Sequence, residues 1–535
     1  MSITSFLFLG FVLLTLIIYY IVPPKAQWVV LLIASIAFYV SFSVNGVFVM
    51  IATALFIWFA AVRIQKLKDE NNAWFIENKK TVDKEERKAK KAYYQKKQKK
   101  YVILSVIVSI ALLFLFKYYG KFALDINSAL GTSFWTAENI LIPLGISYYS
   151  LMLIGYVTDV YRDIIPAEKN PLKVILFGSF FLSIMQGPFN RYGDLMPQIC
   201  KTDRSRLTFE KFRYAAIRIT GGYIKKLCIA DQVALIANEI FNNYTNYEGL
   251  GILLGIVCFA VQLYADFSGY MDIVIGIGEL FGLKLPENFK QPFFSRNMSE
   301  FWKRWHITLG LWLQDYVFYP ILKSKVWKKM GKGITNKLGK EAGRRIPTYI
   351  GMLILWTLIG AWHGAGFNYV FGVGILQFLY IFLGEICNPL FVRLKKLLHI
   401  NDKKLYWHIW QSIRCTLLMC FAWVFFRSAT FGDAIGMIKN IFVIPRPSQL
   451  YLMYAENGGG VSGNWIIWLL FISISIVFLL FVDVLHEKGV RIRKEIIRRG
   501  FLSQFAFILL CVYVLLTFGA YGNQYDSSSF IYFNF

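Results

Sequence analysis

Five histidines are the side chains best suited to moving protons near neutral pH in this chain, because imidazole titrates close to about 6.5. His399, His408 and His486 lie in or beside strongly basic segments and are expected at a surface or interface. The other two stand in richer settings. His306 closes the run Phe301-Trp-Lys-Arg-Trp-His, and His363 sits in Gly360-Ala-Trp-His-Gly-Ala-Gly between two apolar runs. An ionisable group inside a membrane segment is costly to keep there and is a functional candidate by default. The glycines around His363 leave room for a ligand, or a second backbone, to come close. Two readings fit each residue: a proton-transferring imidazole, or a packing imidazole bonded to a backbone carbonyl. Other chemistries lack their signatures. The two histidines are far apart in sequence, with no H-x-x-x-H pair, so no metal site is expected. There is no G-x-S-x-G elbow for a serine nucleophile. The seven cysteines include no C-x-x-C pair and read as small apolar residues rather than a disulfide or metal framework. Asp266 and Asp272, in Tyr264-Ala-Asp-Phe-Ser-Gly-Tyr-Met-Asp, read first as structural acids pairing with Arg296, Lys303 or Arg304, with direct catalysis as the alternative.

The elements that must position these groups are membrane helices. The chain has 535 residues, 56% hydrophobic and only 17% charged, against roughly 25% charged in an ordinary soluble domain. The apolar residues fall in runs such as Ser5–Val22 and Trp465–Val482, near the roughly 20 residues a spanning helix needs. The start of the chain has no basic region before its apolar run and no small-residue cleavage site after it, so that run is expected to be a retained first helix. The net charge of +26 would suggest nucleic acid in a soluble protein. Here it is concentrated in a few loops, which is the pattern that orients membrane proteins, and no nucleic-acid partner is expected.

Charge counting gives a topology. Three apolar runs, about 3–22, 27–43 and 45–62, precede the Lys- and Glu-rich stretch Arg63–Lys100, expected to be a solvated cytoplasmic helical hairpin. Lys323–Arg345 holds nine basic residues against Glu341, and Arg393–Lys404 is also basic, so both are placed inside. The nearly neutral loop 428–462 is placed outside, the stretch 486–499 inside, and the tail Tyr521–Phe535 outside. Both termini are therefore expected outside, in a multi-pass membrane protein. Between 137 and 320, apolar runs are interrupted at Pro143, Gly145, Gly187-Pro188, Gly221-Gly222, Asp266 and Gly269. Irregular backbone at membrane depth is tolerated only where protein or a cavity surrounds it. The expectation is an all-α polytopic membrane protein of about 11–13 membrane helices, some short or re-entrant. No repeat or Ser/Gly/Pro-rich linker divides the chain, so residues 1–535 are read as a single domain.

Several blocks carry a resemblance. They are Pro143-Leu-Gly-Ile-Ser-Tyr-Tyr, Tyr156-Val-Thr-Asp-Val-Tyr-Arg, Gln186-Gly-Pro-Phe-Asn-Arg-Tyr, Tyr264-Ala-Asp-Phe-Ser-Gly-Tyr, Pro286-Glu-Asn-Phe, Phe301-Trp-Lys-Arg-Trp-His, Leu313-Gln-Asp-Tyr, Trp362-His-Gly and Trp423-Val-Phe-Phe-Arg-Ser. Together they resemble the membrane-bound O-acyltransferases, and most closely the bacterial alginate O-acetyltransferase branch. The resemblance implies tilted helices around a central cavity with cytoplasmic and extracytoplasmic funnels. It implies a catalytic histidine at His363 and a second catalytic position at His306. Within the same blocks, Trp362, Trp305, Arg304, Asp266, Asp315 and Asn288 are expected either to bind substrate or to support the site. No bound cofactor is implied. The donor would be a cytoplasmic acyl thioester such as acetyl-CoA. His363 would take the proton of an acceptor hydroxyl as it attacks the thioester, and His306 would donate to the oxyanion or orient the acceptor.

The tail adds a further expectation. Phe530-Ile-Tyr-Phe-Asn-Phe resembles a terminal motif of Gram-positive acylation systems in which a tyrosine hydroxyl relays the acyl group, which would make Tyr532 catalytic. The other reading is an aromatic interface anchor. By resemblance, an extracytoplasmic SGNH-type transferase would be the partner and an exported or cell-surface polysaccharide the acceptor. Two rivals remain: a polytopic transporter, which would usually show inverted repeats, and a lipid or protein O-acyltransferase of the same family.

Overall fold

Leucine-, isoleucine- and phenylalanine-rich runs bounded by Ser, Asp or Gly become helices, because only intrahelical hydrogen bonds satisfy the backbone in a membrane. The computed structural model describes residues 1–79, 81–132, 142–202, 207–444 and 465–520. Among these, eight helices are long and apolar enough to cross a membrane, and two shorter apolar helices, Phe6–Ile21 and Pro24–Val40, precede them. The protein is thus an all-α, multi-pass membrane protein, and no β-ladder longer than the isolated Phe289–Trp305 bridge occurs among the described residues. Tyr532 and the tail lie outside the described residues, as do 445–464 of the expected outer loop.

The chain divides into two compact units, Met1–Thr208 with Ile277–Pro286, and Phe209–Gly276 with Glu287–Phe535. In the first unit, helices α1 (Phe6–Ile21), α2 (Gln27–Val40) and α3 (Val44–Glu77) realise the three opening runs. α3 and α4 (Lys84–Leu113) form the expected charged hairpin, started on its second arm by Asp83, whose side chain accepts from Glu86 N. One of its lysines is not solvated: Lys68 is buried and donates to the Val160 carbonyl and the Asp163 carboxylate. That contact ties the hairpin to the end of α5 (Ile146–Tyr161).

The first unit also holds the broken region. After α6 (Pro171–Ser179) the chain runs without regular structure through Phe180–Asn190, and every one of these residues is buried. Protein surrounds this irregular backbone, as the membrane argument requires. Gly145 makes the entry to α5 possible. Its φ is +63°, and a Cβ there would lie 1.9 Å from the Ile184 carbonyl oxygen. Its position in the Pro143–Tyr149 block is thus explained by packing.

In the second unit, α7 (Phe209–Tyr223) continues through a π-helical turn, Ile224–Ala230, into α8 (Asp231–Asn242). It crosses α9 (Leu250–Leu280). The expected breaks at Gly221-Gly222, Asp266 and Gly269 do not occur, since both helices run through them. Gly222 and Gly269 instead allow a close crossing: a Cβ on Gly222 would meet the Gly269 carbonyl at 2.7 Å, and one on Gly269 would meet that of Gly222 at 2.8 Å. The crossing brings opposite charges together. Lys226 reaches Asp266 at 2.6 Å and Asp231 at 2.8 Å, and Asp272 takes Arg218 at 2.9 Å and Lys225 at 2.8 Å. Asp266 and Asp272 are thus ion-paired, but with Lys226, Lys225 and Arg218 in place of the expected Arg296, Lys303 or Arg304.

Beyond α9 come two short helices, α10 (Met298–Arg304) and α11 (Ile307–Leu313), and the amphipathic α12 (Lys325–Leu338). The long α13 (Lys340–His363) follows, then α14 (Leu376–Ile386), α15 (Asn388–Leu397) and α16 (Leu405–Arg427). The last helices are α17 (Trp465–Glu487) and α18 (Phe501–Phe518).

Candidate active site

Both singled-out histidines are buried in the second unit: His306 is 3% and His363 5% exposed. His399 and His486 are exposed and His408 half-buried, as their basic settings suggested.

His306 stands at a sharp corner. Trp305 ends α10, His306 caps α11, and between them the backbone takes the left-handed conformation, with φ +48° at His306. A non-glycine residue held there costs on the order of 1–3 kcal/mol and persists only where surrounding contacts hold it. Asn288 supplies those contacts. It is fully buried; its backbone carbonyl accepts from Ile307 N at 3.1 Å. Its Oδ1 accepts from Thr308 N at 3.0 Å and from the Thr308 hydroxyl at 2.9 Å, and lies 3.4 Å from His306 Nδ1. The backbone donor on Oδ1 identifies that atom as oxygen, an acceptor only. It follows that Nδ1 of the neutral ring carries the hydrogen and Nε2 carries the lone pair. His306 is therefore built to accept a hydrogen bond or proton at Nε2, and the oxyanion-donor role would require the other tautomer. The ring packs edge-on against Phe267 at 4.8 Å. His306 lies in a turn outside the spanning helices, and burial holds its pKa well below the ordinary imidazole value.

His363 ends α13 at the mouth of the loop Gly364-Ala-Gly366. Its ring meets Phe426 edge-on at 5.6 Å and lies 4.9 Å from the half-buried Trp362. The flanking glycines make room for the chain's own packing. A Cβ on Gly360 would meet Val370 Cα at 2.7 Å, and one on Gly364 would meet the Tyr369 ring at 2.5 Å. Asn368 clamps this corner to the end of α16, donating to the carbonyls of Phe425 at 3.2 Å and Ser428 at 2.9 Å. The close approach foreseen at these glycines is by a second segment of backbone at Gly360 and by an aromatic side chain at Gly364.

Two sets of contacts connect the histidines. Phe267, against His306, and Phe259, which packs on Phe426 at 6.3 Å, lie on α9 eight residues, or about 12 Å, apart. On the other side Trp302 of α10 packs on Trp356 of α13 at 4.9 Å and donates to Gln377 at 3.2 Å. Trp356 lies two turns before His363 on the same helix face.

The other expected site residues divide. Asn288 is a positioning residue for His306. Trp305 packs among Phe289, Phe301 and Trp423 with ring centroids 5.0–5.6 Å away. Arg304 points to Glu487 at 2.7 Å and Glu300 at 2.8 Å, which pins α10 to α17. Asp266 belongs to the Lys226 ion pairs described above. Asp315 is half-buried in a π-helical turn, Gln314–Phe318, after α11. Thr308, Phe267, Phe426 and Asn368 were not singled out from sequence. Only Thr308, two residues after His306, offered a local signal. Among the described residues no group of three or more His, Cys, Asp or Glu could hold a metal ion.

Comparison with known proteins identifies the family. The profile of MBOAT, the membrane-bound O-acyltransferase family, matches residues 36–335, which include His306 and stop before His363. The "Probable alginate O-acetylase AlgI" of Pseudomonas syringae is 33% identical over 64% of this chain, and the match spans 60% of that relative's length. The protein of the same name from Pseudomonas aeruginosa is 29% identical over 82% of this chain and 74% of its own. The "Peptidoglycan O-acetyltransferase" of Helicobacter pylori is 27% identical over 78% of this chain and 73% of its own. This chain belongs to the membrane-bound O-acyltransferase family and, within it, is similar to the alginate O-acetylases.

Proposed function

We propose that the protein is a polysaccharide O-acyltransferase of the cell membrane that moves an acetyl group from a cytoplasmic thioester, acetyl-CoA, toward an exported or cell-surface glycan. The observation that carries this reading is the pair of buried histidines, each packed through one ring to the same helix α9, in a chain of this family. The relatives' names include O-acetylation of alginate and of peptidoglycan. In the reaction a hydroxyl oxygen forms the new C–O bond as the thioester C–S bond breaks. His363 takes the hydroxyl proton and returns it to the departing thiolate. His306 orients the acceptor by accepting at Nε2 from a donor other than the hydroxyl proton that His363 removes, in keeping with the tautomer its Asn288 contact favours.

α13 begins at the basic segment placed inside and ends at His363, about 34 Å along the helix axis. In the charge-derived orientation, with both termini outside, His363 stands toward the outer side, where the acceptor arrives. Tyr532 takes the acetyl group first, as an ester, and passes it to a separate extracytoplasmic SGNH-type transferase. Its support is the tail's motif and the charge-derived placement of the tail outside.

The deciding experiment is mass spectrometry of the C-terminal peptide after incubation of the purified protein with acetyl-CoA, on wild type, Tyr532→Phe and His363→Ala. The expected result is an acetyl adduct of wild type that is lost in both variants. Acetyl-CoA consumption without an adduct, once a partner transferase is added, would remove the relay and keep the acyltransferase. No consumption under any condition would sink the whole reading and favour transport.

A further inference from the structure

A groove of about 1260 Å³ opens in the second unit between the start of α13 and the helices α14, α15 and α16. Five basic side chains line it: Arg296, Arg344, Arg345, Lys395 and Arg414. Among the described residues the single carboxylate in its lining, Glu385, accepts from the Tyr349 hydroxyl at 2.9 Å. Arg345 pairs with Glu341, Lys395 with Asp402, and Arg414 donates to the Arg296 carbonyl. The Arg296 and Arg344 guanidinium groups have no carboxylate partner among the described residues. The rest of the lining is largely apolar, and part of that wall is open: Phe391 is 45%, Leu394 41% and Trp410 50% exposed. Arg344 and Arg345 come from one segment placed inside by charge, and Lys395 from the other. The structure gathers them at one groove, at the end of α13 opposite His363.

We propose that this groove seats the headgroup of an anionic phospholipid of the inner leaflet. A planar guanidinium matches phosphate with two parallel hydrogen bonds, and basic pockets between helices on the cytoplasmic side suit such headgroups. Arg344, Arg296 and Arg414 hold the phosphate, Lys395 lies at the rim, and the acyl chains follow Ile381, Phe391 and Leu394. A soluble phosphate-bearing thioester shares the phosphate chemistry. The open apolar wall favours the lipid, because that wall continues into exposed apolar side chains of α15 and α16 such as Leu390, Ile409 and Ile413. The inference rests on the charge-derived orientation and is independent of the acyl-transfer reading.

Native mass spectrometry of the full chain in detergent, titrated with phosphatidylglycerol, phosphatidylcholine or coenzyme A, tests it. The expected result is a discrete phosphatidylglycerol adduct, weak phosphatidylcholine binding, and phosphatidylglycerol retained when coenzyme A is added. Arg344→Gln with Lys395→Gln should weaken the adduct on the order of tenfold or more. Lys328→Gln with Lys329→Gln, which removes the same charge from α12 outside the groove, should leave it in place. Equal binding of the two lipids, or equal loss in both double variants, would show general surface attraction and overturn the site. Displacement of phosphatidylglycerol by coenzyme A on wild type, which needs no variant to fold, would assign the groove to the soluble donor instead.

Discussion

Asn288 holds the His306 corner through one oxygen that faces three donors. Replacing it with alanine removes the buried acceptor that the Thr308 amide, the Thr308 hydroxyl and the imidazole share. Losing a buried hydrogen-bond partner costs about 1–3 kcal/mol. Asn288→Ala should therefore lower kcat by about 10- to 100-fold with little change in KM for the donor. The His306 ring nitrogens should also lose their single-tautomer NMR signature. An unchanged tautomer with lowered activity would mean that Asn288 acts on substrate directly. Sequence placed Asn288 beside the site without giving it this job, because the 18-residue separation from His306 closes only when the chain folds.

The same histidine makes a stability prediction. In the unfolded chain its imidazole titrates near about 6.5, whereas in the folded protein burial keeps the pKa well below that. Above the unfolded value neither state binds the proton and His306 costs nothing. As pH falls below about 6.5 the unfolded chain takes up a proton that the folded protein refuses, so stability is lost. By pH 5 this amounts to about 2 kcal/mol. Wild-type thermal midpoints in detergent should thus fall more steeply between pH 7 and 5 than those of His306→Gln. Parallel curves would mean that His306 already titrates in the folded state.

At the level of elements, the glycines divide by what faces them. Gly222 and Gly269 each meet the other's carbonyl across the α7–α9 crossing, and that closeness lets Lys226 and Lys225 reach Asp266 and Asp272. Gly269→Ala should force the helices apart and cost about 1–3 kcal/mol for overpacking, more if the ion pairs open. Gly10→Ala in α1, with nothing within 4 Å, should be neutral or slightly stabilising. Comparable losses of midpoint in the two variants would refute the crossing argument. From sequence, Gly221-Gly222 and Gly269 looked like helix breaks. Glycine in a membrane helix marks a break or a close crossing with the same letter, and only the facing residue tells which. The aspartates show the same limit: pairing with basic residues was legible, while the identity of the partners depended on a helix pairing that local spacing does not encode. Where local chemistry was enough the reading held, as in the three opening helices and the irregular buried segment after α6.

For the whole molecule, the outstanding question is which way it crosses the membrane, and there charge is the argument. Lys323–Arg345 and Arg393–Lys404 were placed on one side from basic residues alone. The structure brings Arg344, Arg345 and Lys395 to one groove, which supports placing the two segments on one side. In the proposed orientation that side is the cytoplasm, α13 leads outward to His363, and the N-terminus is outside. Single cysteines in a background lacking the seven native ones make this testable with a membrane-impermeant maleimide on intact cells. Ser2→Cys and Thr430→Cys should be labelled from outside, while Asn401→Cys and Lys337→Cys should be labelled only after the membrane is opened. The reverse pattern would put His363 toward the cytoplasm. A transfer that ends on an exported glycan would then need its acceptor to enter from the wrong side, and the proposed direction of the reaction would fail with the topology.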